Sequence, residues 1–262
     1  MMTHSLAVFA IAGAAWLTGC AVYVPTVPAT PLLEKGQVEV TAGLRGFSTT
    51  ELGVAWSPVP HVLVTGELAG NVGSSSTTTT SQQGVKTTYN DSHRQGSVGA
   101  GLYRKPTADS YLAVLGGIGW GRTNLFASED FKAASPFFPF PIPTRSGVYD
   151  AQYRRYYGQF YFAAPAFGKD LKGGFSLRTV FVDYTRLNFA DQPIAPSNRF
   201  FLEPTAFVRT DHGPLRFYLT GGFSAPLSSD RANPANKRTA SWSYLFSGGV
   251  ILRPDLLVRA RK

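Results

Sequence analysis

The sequence predicts an all-β chain: an antiparallel up-and-down transmembrane β-barrel of ten strands, preceded by an N-terminal lipoprotein signal peptide. Three observations carry this expectation. Apolar and polar residues alternate with period 2 from residue 37 almost to the end of the chain, the pattern of half-buried strands. The connections between these segments are alternately short and long, as in a meander whose two ends differ. Only 16% of residues are charged while 13% are aromatic and 27 are glycine, against roughly 25% charged in ordinary soluble domains. No long apolar run follows residue 20, which argues against helical membrane spans.

The first element is residues 1–19, read as the signal peptide. An apolar run from Leu6 to Leu17 ends in Leu17-Thr18-Gly19-Cys20, a run too short to cross a bilayer as a helix. The small residues before the cysteine admit a peptidase to the Gly19–Cys20 bond. The Cys20 thiol then accepts a diacylglyceryl group, and the new amino terminus an acyl chain. One chain anchors marginally, at roughly 0.8 kcal/mol per buried methylene, and two or more anchor stably. Cys20 is the sole cysteine, so no disulfide forms within the mature chain. Residues 20–35, with Pro25, Pro28 and Pro31, read as an extended periplasmic tether, reaching roughly 45 Å at about 3.1 Å per residue.

The barrel is expected over 36–253, with strands at 37–46, 51–57, 62–72, 95–104, 111–122, 151–167, 174–187, 199–210, 215–225 and 242–253. In the first, Val38, Val40, Ala42 and Leu44 share one face and Glu39, Thr41 and Arg45 the other. Leu52, Val54 and Trp56 line one face of the second. Val62, Val64 and Leu68 oppose Thr65, Glu67 and Asn71 in the third. Later strands set Phe160 and Phe162 against Gln159, and Leu202 and Val208 against Glu203 and Arg209. Segment 174–187 breaks the rule, because Arg178, Val180, Val182 and Tyr184 share parity; a bulge there would reconcile them. The links 58–61, 105–110, 168–173 and 211–214 are short. The alternate links 73–94, 123–150, 188–198 and 226–241 are long, and 47–50 alone among them is brief. Both termini then fall at the short-turn end. Trp56, Trp120 and Trp242, with Tyr103, Tyr111, Tyr153, Tyr156 and Tyr157, lie near strand ends, where interfacial girdles form. Residues 254–262 read as a basic, solvated tail, since the formal charge of +9 is otherwise dispersed; nucleic acid is not an expected partner.

The run Tyr23-Val24-Pro25-Thr26 through Pro31-Leu32-Leu33-Glu34-Lys35-Gly36-Gln37, with Trp56-Ser57-Pro58-Val59-Pro60-His61 after it, resembles the uncharacterised outer-membrane β-barrel lipoproteins of Bacteroidota. The resemblance implies an outer-membrane barrel with a lipidated amino terminus, and no activity.

Candidate chemistry is sparse. Asp211-His212 lies in a tight turn and Asp91-Ser92-His93 in a polar loop, and neither has the spacing of a catalytic set. One cysteine and scattered histidines give no metal-ligand pattern. The glycines at 116, 117, 119 and 121 fit strand packing better than a phosphate cradle. No cofactor is expected. Two sets remain. Glu39, Arg45, Glu51, Glu67, Arg155, Arg178, Glu203, Arg209 and Arg216 have inward parity and are expected to pair inside a narrow lumen. Phe131, Phe137, Phe138 and Phe140, on a loop with four prolines, suit a cap over the barrel mouth or a binding surface.

The expected protein is therefore a non-enzymatic, lipid-anchored component of a Gram-negative outer membrane, with a structural, binding or interaction role and both termini periplasmic. A narrow channel for small polar solutes is one alternative. A periplasmic calycin-like lipoprotein binding an apolar ligand is another; it would turn its apolar faces inward.

Overall fold

The structure, a computed structural model, describes residues 22–46, 48–71, 75–80, 86–128, 146–166, 170–195, 198–227, 239 and 241–259. Alternation becomes strand in chain order: β1 (Val38–Arg45), β2 (Thr49–Trp56), β3 (Val62–Asn71), β4 (Ser75–Thr80), β5 (Lys86–Arg104), β6 (Tyr111–Ser128), β7 (Ser146–Pro165), β8 (Leu171–Phe189), β9 (Gln192–Pro193), β10 (Arg199–Thr210), β11 (Leu215–Pro226) and β12 (Ser243–Leu252), followed by one helical turn and a half, α1 (Pro254–Arg259). Every pairing is antiparallel, and β1 pairs with both β2 and β12. The sheet closes on itself through β1-β2-β3-β5-β6-β7-β8-β10-β11-β12. That is the ten-stranded barrel. β4 adds only to β5 and β9 only to β8, outside the closed ring.

The exterior is apolar. Leu44, Leu102, Val114, Ile118, Phe160 and Phe217 stand 41–64% exposed, one from every second position of their strands. A soluble protein does not spread such a surface over its whole circumference. A lipid-facing barrel requires it, because every backbone group is already paired within the ring. This excludes the calycin-like alternative, whose polar faces would point outward.

The four strands β5 to β8 run 18–20 residues, whereas a tilted strand crosses the bilayer in about 9–11. Their excess lies at the long-loop end, where Ser92 pairs with Asn124 and Ser128 with Ser146. The expected loops 73–94 and 123–150 are thus partly sheet. β4 folds back on the start of β5 from Ser75–Asp91 to Thr80–Lys86. The polar run 86–94 concealed this, since strand wall standing in water has no apolar face to show, and in 123–128 the consecutive Leu125, Phe126 and Ala127 break the period-2 alternation. The barrel is consequently tall on one side and low on the other.

The turns on either side of β1 each hold a left-handed residue. Gly36, at φ 76°, ends the segment before β1, and its N–H bonds to Ser57 O at 2.7 Å; Gly46, at φ 55°, opens the tight β1–β2 hairpin. Glycine takes this conformation without steric cost. At the other end α1 replaces the first part of the expected solvated tail; Arg253 forks onto Asp255 at 2.9 and 3.0 Å and its N–H bonds to Pro214 O.

Several expected girdle residues are not girdle. Trp56, Trp120, Tyr156 and Trp242 face outward and are 42–61% exposed. Tyr103, Tyr111, Tyr153 and Tyr157 are buried inside, at 2–7%. Strand parity separates the two groups, and the reason for the inward tyrosines is the lumen's content, described next. The lipid-facing assignment gives a test. Leu219→Arg, mid-strand on the outer face of β11, should cost about 2–4 kcal/mol in urea unfolding from lipid bilayers; a neutral effect would show that this face meets water.

Candidate functional site: a lumen filled by the chain's own segment

Residues 22–35 do not hang outside as a tether. They run through the barrel. Val22 and Tyr23 pack against Tyr149, Tyr153, Val182, Tyr184, Leu187 and Phe201 at the long-loop end. Leu32 and Leu33 pack against Leu63, Tyr103, Tyr111, Tyr161 and Phe207 at the short-turn end. The segment descends through the lumen, reverses at Gly36 and rises again as β1. The expectation that both ends of the mature chain lie at the short-turn end is therefore overturned: Val22 sits at the long-loop end and α1 at the other.

The prolines explain why this segment is a guest and not an eleventh strand. Pro25, Pro28 and Pro31 have no N–H to give to a ladder, so the remaining backbone groups must be satisfied individually. Lumen side chains do so from all round the wall. Gln95 Nε2 donates to Val24 O at 2.6 Å, and Gln159 Nε2 to Ala29 O at 2.7 Å. Arg209 Nη1 donates to Thr30 O at 3.0 Å. Tyr161 and Tyr111 donate their hydroxyls to Pro31 O and Leu33 O at 2.6 and 3.0 Å. Glu51 and Glu67 accept the N–H groups of Val27 and Ala29. Of the inward tyrosines, Tyr111 and Tyr161 are thus ligands of the threaded chain, and Tyr153 packs edge-on to its Tyr23 with centroids 5.7 Å apart. The inward rings also need room: a Cβ on Gly117 or Gly121 would lie 2.4 Å from the ring of Tyr157 or Tyr153.

The lumen has three layers. Apolar caps formed by the two ends of the segment enclose a charged middle, and the threaded chain explains the parity of Val180, Val182 and Tyr184, which face Val22 and Tyr23. The irregularity expected there is present but higher, where the β7–β8 register shifts between Gln152 and Tyr153. In the middle layer Glu67 accepts from both Arg155 and Arg178. Arg178 also binds Gln159 Oε1 from Nη2 at 2.8 Å, and Arg155 binds Ser97 Oγ at 2.7 Å. Both guanidiniums donate to Thr26 Oγ1, at 2.7 and 3.1 Å, and the Tyr157 ring lies 4.7 Å from Arg178 Cζ, offering the negative face of its quadrupole. Arg209 grips Glu39 with two bonds of 2.6 and 3.1 Å. Arg45 meets Glu51 at 3.2 Å. Glu203 accepts from Tyr23 and Ser224, each at 3.1 Å. Arg216 binds Asp211 at the short-turn mouth. All nine charged residues singled out from strand parity thus face the lumen. Most of them pair with one another, as expected; what parity could not supply is the partners from the threaded segment, Thr26, Tyr23 and the backbone carbonyls.

Little space remains. A cavity of about 50 Å³ persists between Thr26–Thr30 and the β1–β3 wall, beside Glu39, Glu51 and Arg209, room for a few waters.

The catalytic candidates are dispersed. Asp91 Oδ1 accepts the N–H of Phe126 at 2.7 Å while His93 Nε2 lies 3.4 Å from Thr49 Oγ1. Asp211 binds Lys172 and Arg216, and His212 is exposed, 3.8 Å from Asp170. Among the described residues no group of three His, Cys, Asp or Glu is arranged to hold a metal ion. Gly19, Cys20, Phe131, Phe137, Phe138 and Phe140 lie outside the described residues.

Closed ring, apolar exterior and charged, occupied interior together define an outer-membrane-type β-barrel with an extended segment of its own chain inside. Among solved structures, the outer membrane protease OmpT from Escherichia coli is similar over 83% of this chain and 94% of its own, at 11% identity and a TM-score of 0.43. No protein-family model and no curated protein matches the chain.

The buried triad is testable. Glu67→Ala leaves two guanidiniums without their carboxylate and should destabilise the barrel by about 3–5 kcal/mol in denaturant unfolding. Thr26→Val, which removes one shared hydroxyl, should cost about 1–3 kcal/mol. If Glu67→Ala were the milder of the two, the carboxylate would not be the centre of the network.

Proposed function

We propose that this protein is a lipid-anchored outer-membrane barrel that conducts nothing, and that it serves a structural or binding role through its long-loop end without catalysis. The observation that carries this reading is the occupied lumen. Residues 22–35 contribute Tyr23, Leu32 and Leu33 to the packing at both ends and Thr26 to the charged middle. A solute would have to displace a chain fixed by hydrogen bonds from Gln95, Gln159, Tyr111, Tyr161 and Arg209.

Anchoring rests on Leu17-Thr18-Gly19-Cys20. Cys20 lies two positions before Val22, a span of at most about 7 Å, so acyl chains on Cys20 belong to the leaflet at the long-loop end. The low wall of β1–β3 and β10–β12, with strands of 8–12 residues, gives them a way over the rim. In the usual barrel orientation that leaflet is the outer one.

In planar bilayers the purified protein should show no unit conductance, and a variant lacking residues 22–33 should open steps. Steady ion-conducting steps from the intact protein would overturn the closed-barrel reading in favour of a narrow channel. For the anchor, intact-mass measurement should find the diacylglyceryl and acyl additions on the wild type. The Cys20→Ala protein should lack them; an unmodified wild-type chain would remove the lipid from the proposal.

A further inference from the structure

The outer surface carries one feature that neither the lumen nor the anchor uses. Across β5, β6, β7 and β8 the register sets Arg94 beside Arg122, Arg122 beside Gln152 and Gln152 beside Arg186. These four side chains stand in one row on the outer face of the wall. Three strand spacings separate its ends, about 14 Å. One step toward the membrane lies a second row, in which Trp120 pairs with Arg154 and Arg154 with Asp183. Below it the β6 face is Ile118, Val114 and Leu112. The arginines therefore begin where the apolar band ends, beside the exposed Trp120. That is the height of lipid headgroups.

Among the described residues the cluster is confined to this sector. At the same end of the other strands the outward residues are Leu44, Phe200, Phe223, Trp242 and Tyr244, none of them charged. The acidic groups within the cluster do not cancel it. Asp150 is shared between Arg122, at 3.4 Å, and Arg186, at 3.1 Å. Asp183 is half-buried, and Arg94 and Arg154 form no ion pair among the described residues. Arg122 and Arg186 remain 44% and 52% exposed despite their pairing. A shallow groove runs between the rows, bounded by Arg94, Trp120, Arg122, Gln152 and Arg154.

We infer that this row is a binding site for the phosphorylated headgroup of a glycolipid in the leaflet at the long-loop end. Guanidinium forks match phosphate oxygens with two parallel hydrogen bonds. Gln152 offers an amide to sugar hydroxyls, and the apolar strip below receives the acyl chains. Identifying that leaflet as the outer one rests on the orientation proposed above; the site itself does not.

The test uses the full-length barrel purified in detergent, so it is independent of both orientation and conduction. Native mass spectrometry would count lipids retained from micelles doped with lipid A bearing its phosphates, or with the same lipid dephosphorylated. The phosphorylated lipid should be retained and the dephosphorylated one lost. The triple variant Arg94→Gln, Arg122→Gln, Arg186→Gln should bind about tenfold more weakly or worse. Arg94→Gln alone, which breaks no ion pair, should show a smaller loss in the same direction. Arg104→Gln, on the outer face at the opposite end, should bind as the wild type does. Equal retention of the two lipids, or an unchanged triple variant, would overturn the inference. Displacement by excess inorganic phosphate, with no dependence on acyl chains, would overturn it as a lipid site and leave a free-phosphate site.

Discussion

Glu67 is the group on which the interior depends. It is buried at the middle of the lumen, where a carboxylate without partners would be expelled or neutralised. Its two oxygens are met by Arg155 and Arg178 from β7 and β8 and by the Ala29 N–H of the threaded segment. Remove the segment and the guanidiniums lose Thr26 as well. Each party is thus held by the other two. The wall fixes the segment and the segment completes the wall's polar layer.

That dependence accounts for the layout above and below. A ten-stranded ring encloses more volume than its own inward side chains fill, since eight strands already give an interior only just wide enough for side chains. The extra volume is occupied by fourteen residues of extended chain, 22–35. The Glu67–Arg155–Arg178 group sits at mid-height between apolar clusters at the two mouths, while Arg45–Glu51 lies toward the long-loop end and Arg216–Asp211 at the short-turn mouth. The clusters separate the central pairs from water at either end. Their attraction is strengthened by that low-dielectric setting, and so is the penalty for breaking them.

The asymmetry of the wall has its own consequence outside. β5 to β8 rise past the apolar band, so their outward residues pass through headgroup height on the way to water. There the sequence carries Arg94, Arg122, Arg154 and Arg186, whereas β10 to β12 present Phe200, Phe223, Trp242 and Tyr244 and β1 presents Leu44. The tall side therefore offers charge to the leaflet, and the low side offers rings along β10–β12. One barrel presents two kinds of membrane contact at the same level.

Period-2 alternation, ten segments and unequal connections were enough to determine the barrel, because each is a local property of the chain. Inward parity likewise identified Glu39, Glu67, Arg178 and Arg209 without any knowledge of their contacts. The sequence misled where the relevant neighbour is distant. Prolines at 25, 28 and 31 read as a free tether, since nothing local distinguishes a proline-rich strand in water from one inside a barrel. Tyr103, Tyr111 and Tyr153 read as girdle because aromatic rings suit both faces; their strand parity points them inward, where they meet Leu32, Leu33 and Tyr23. The strand end 86–94 read as loop for want of an apolar face, and 123–128 because Leu125, Phe126 and Ala127 run together without alternation. Composition and periodicity thus determined the wall. The tertiary structure alone decided what the wall encloses, since that is set by contacts between residues as far apart as Tyr23 and Glu203.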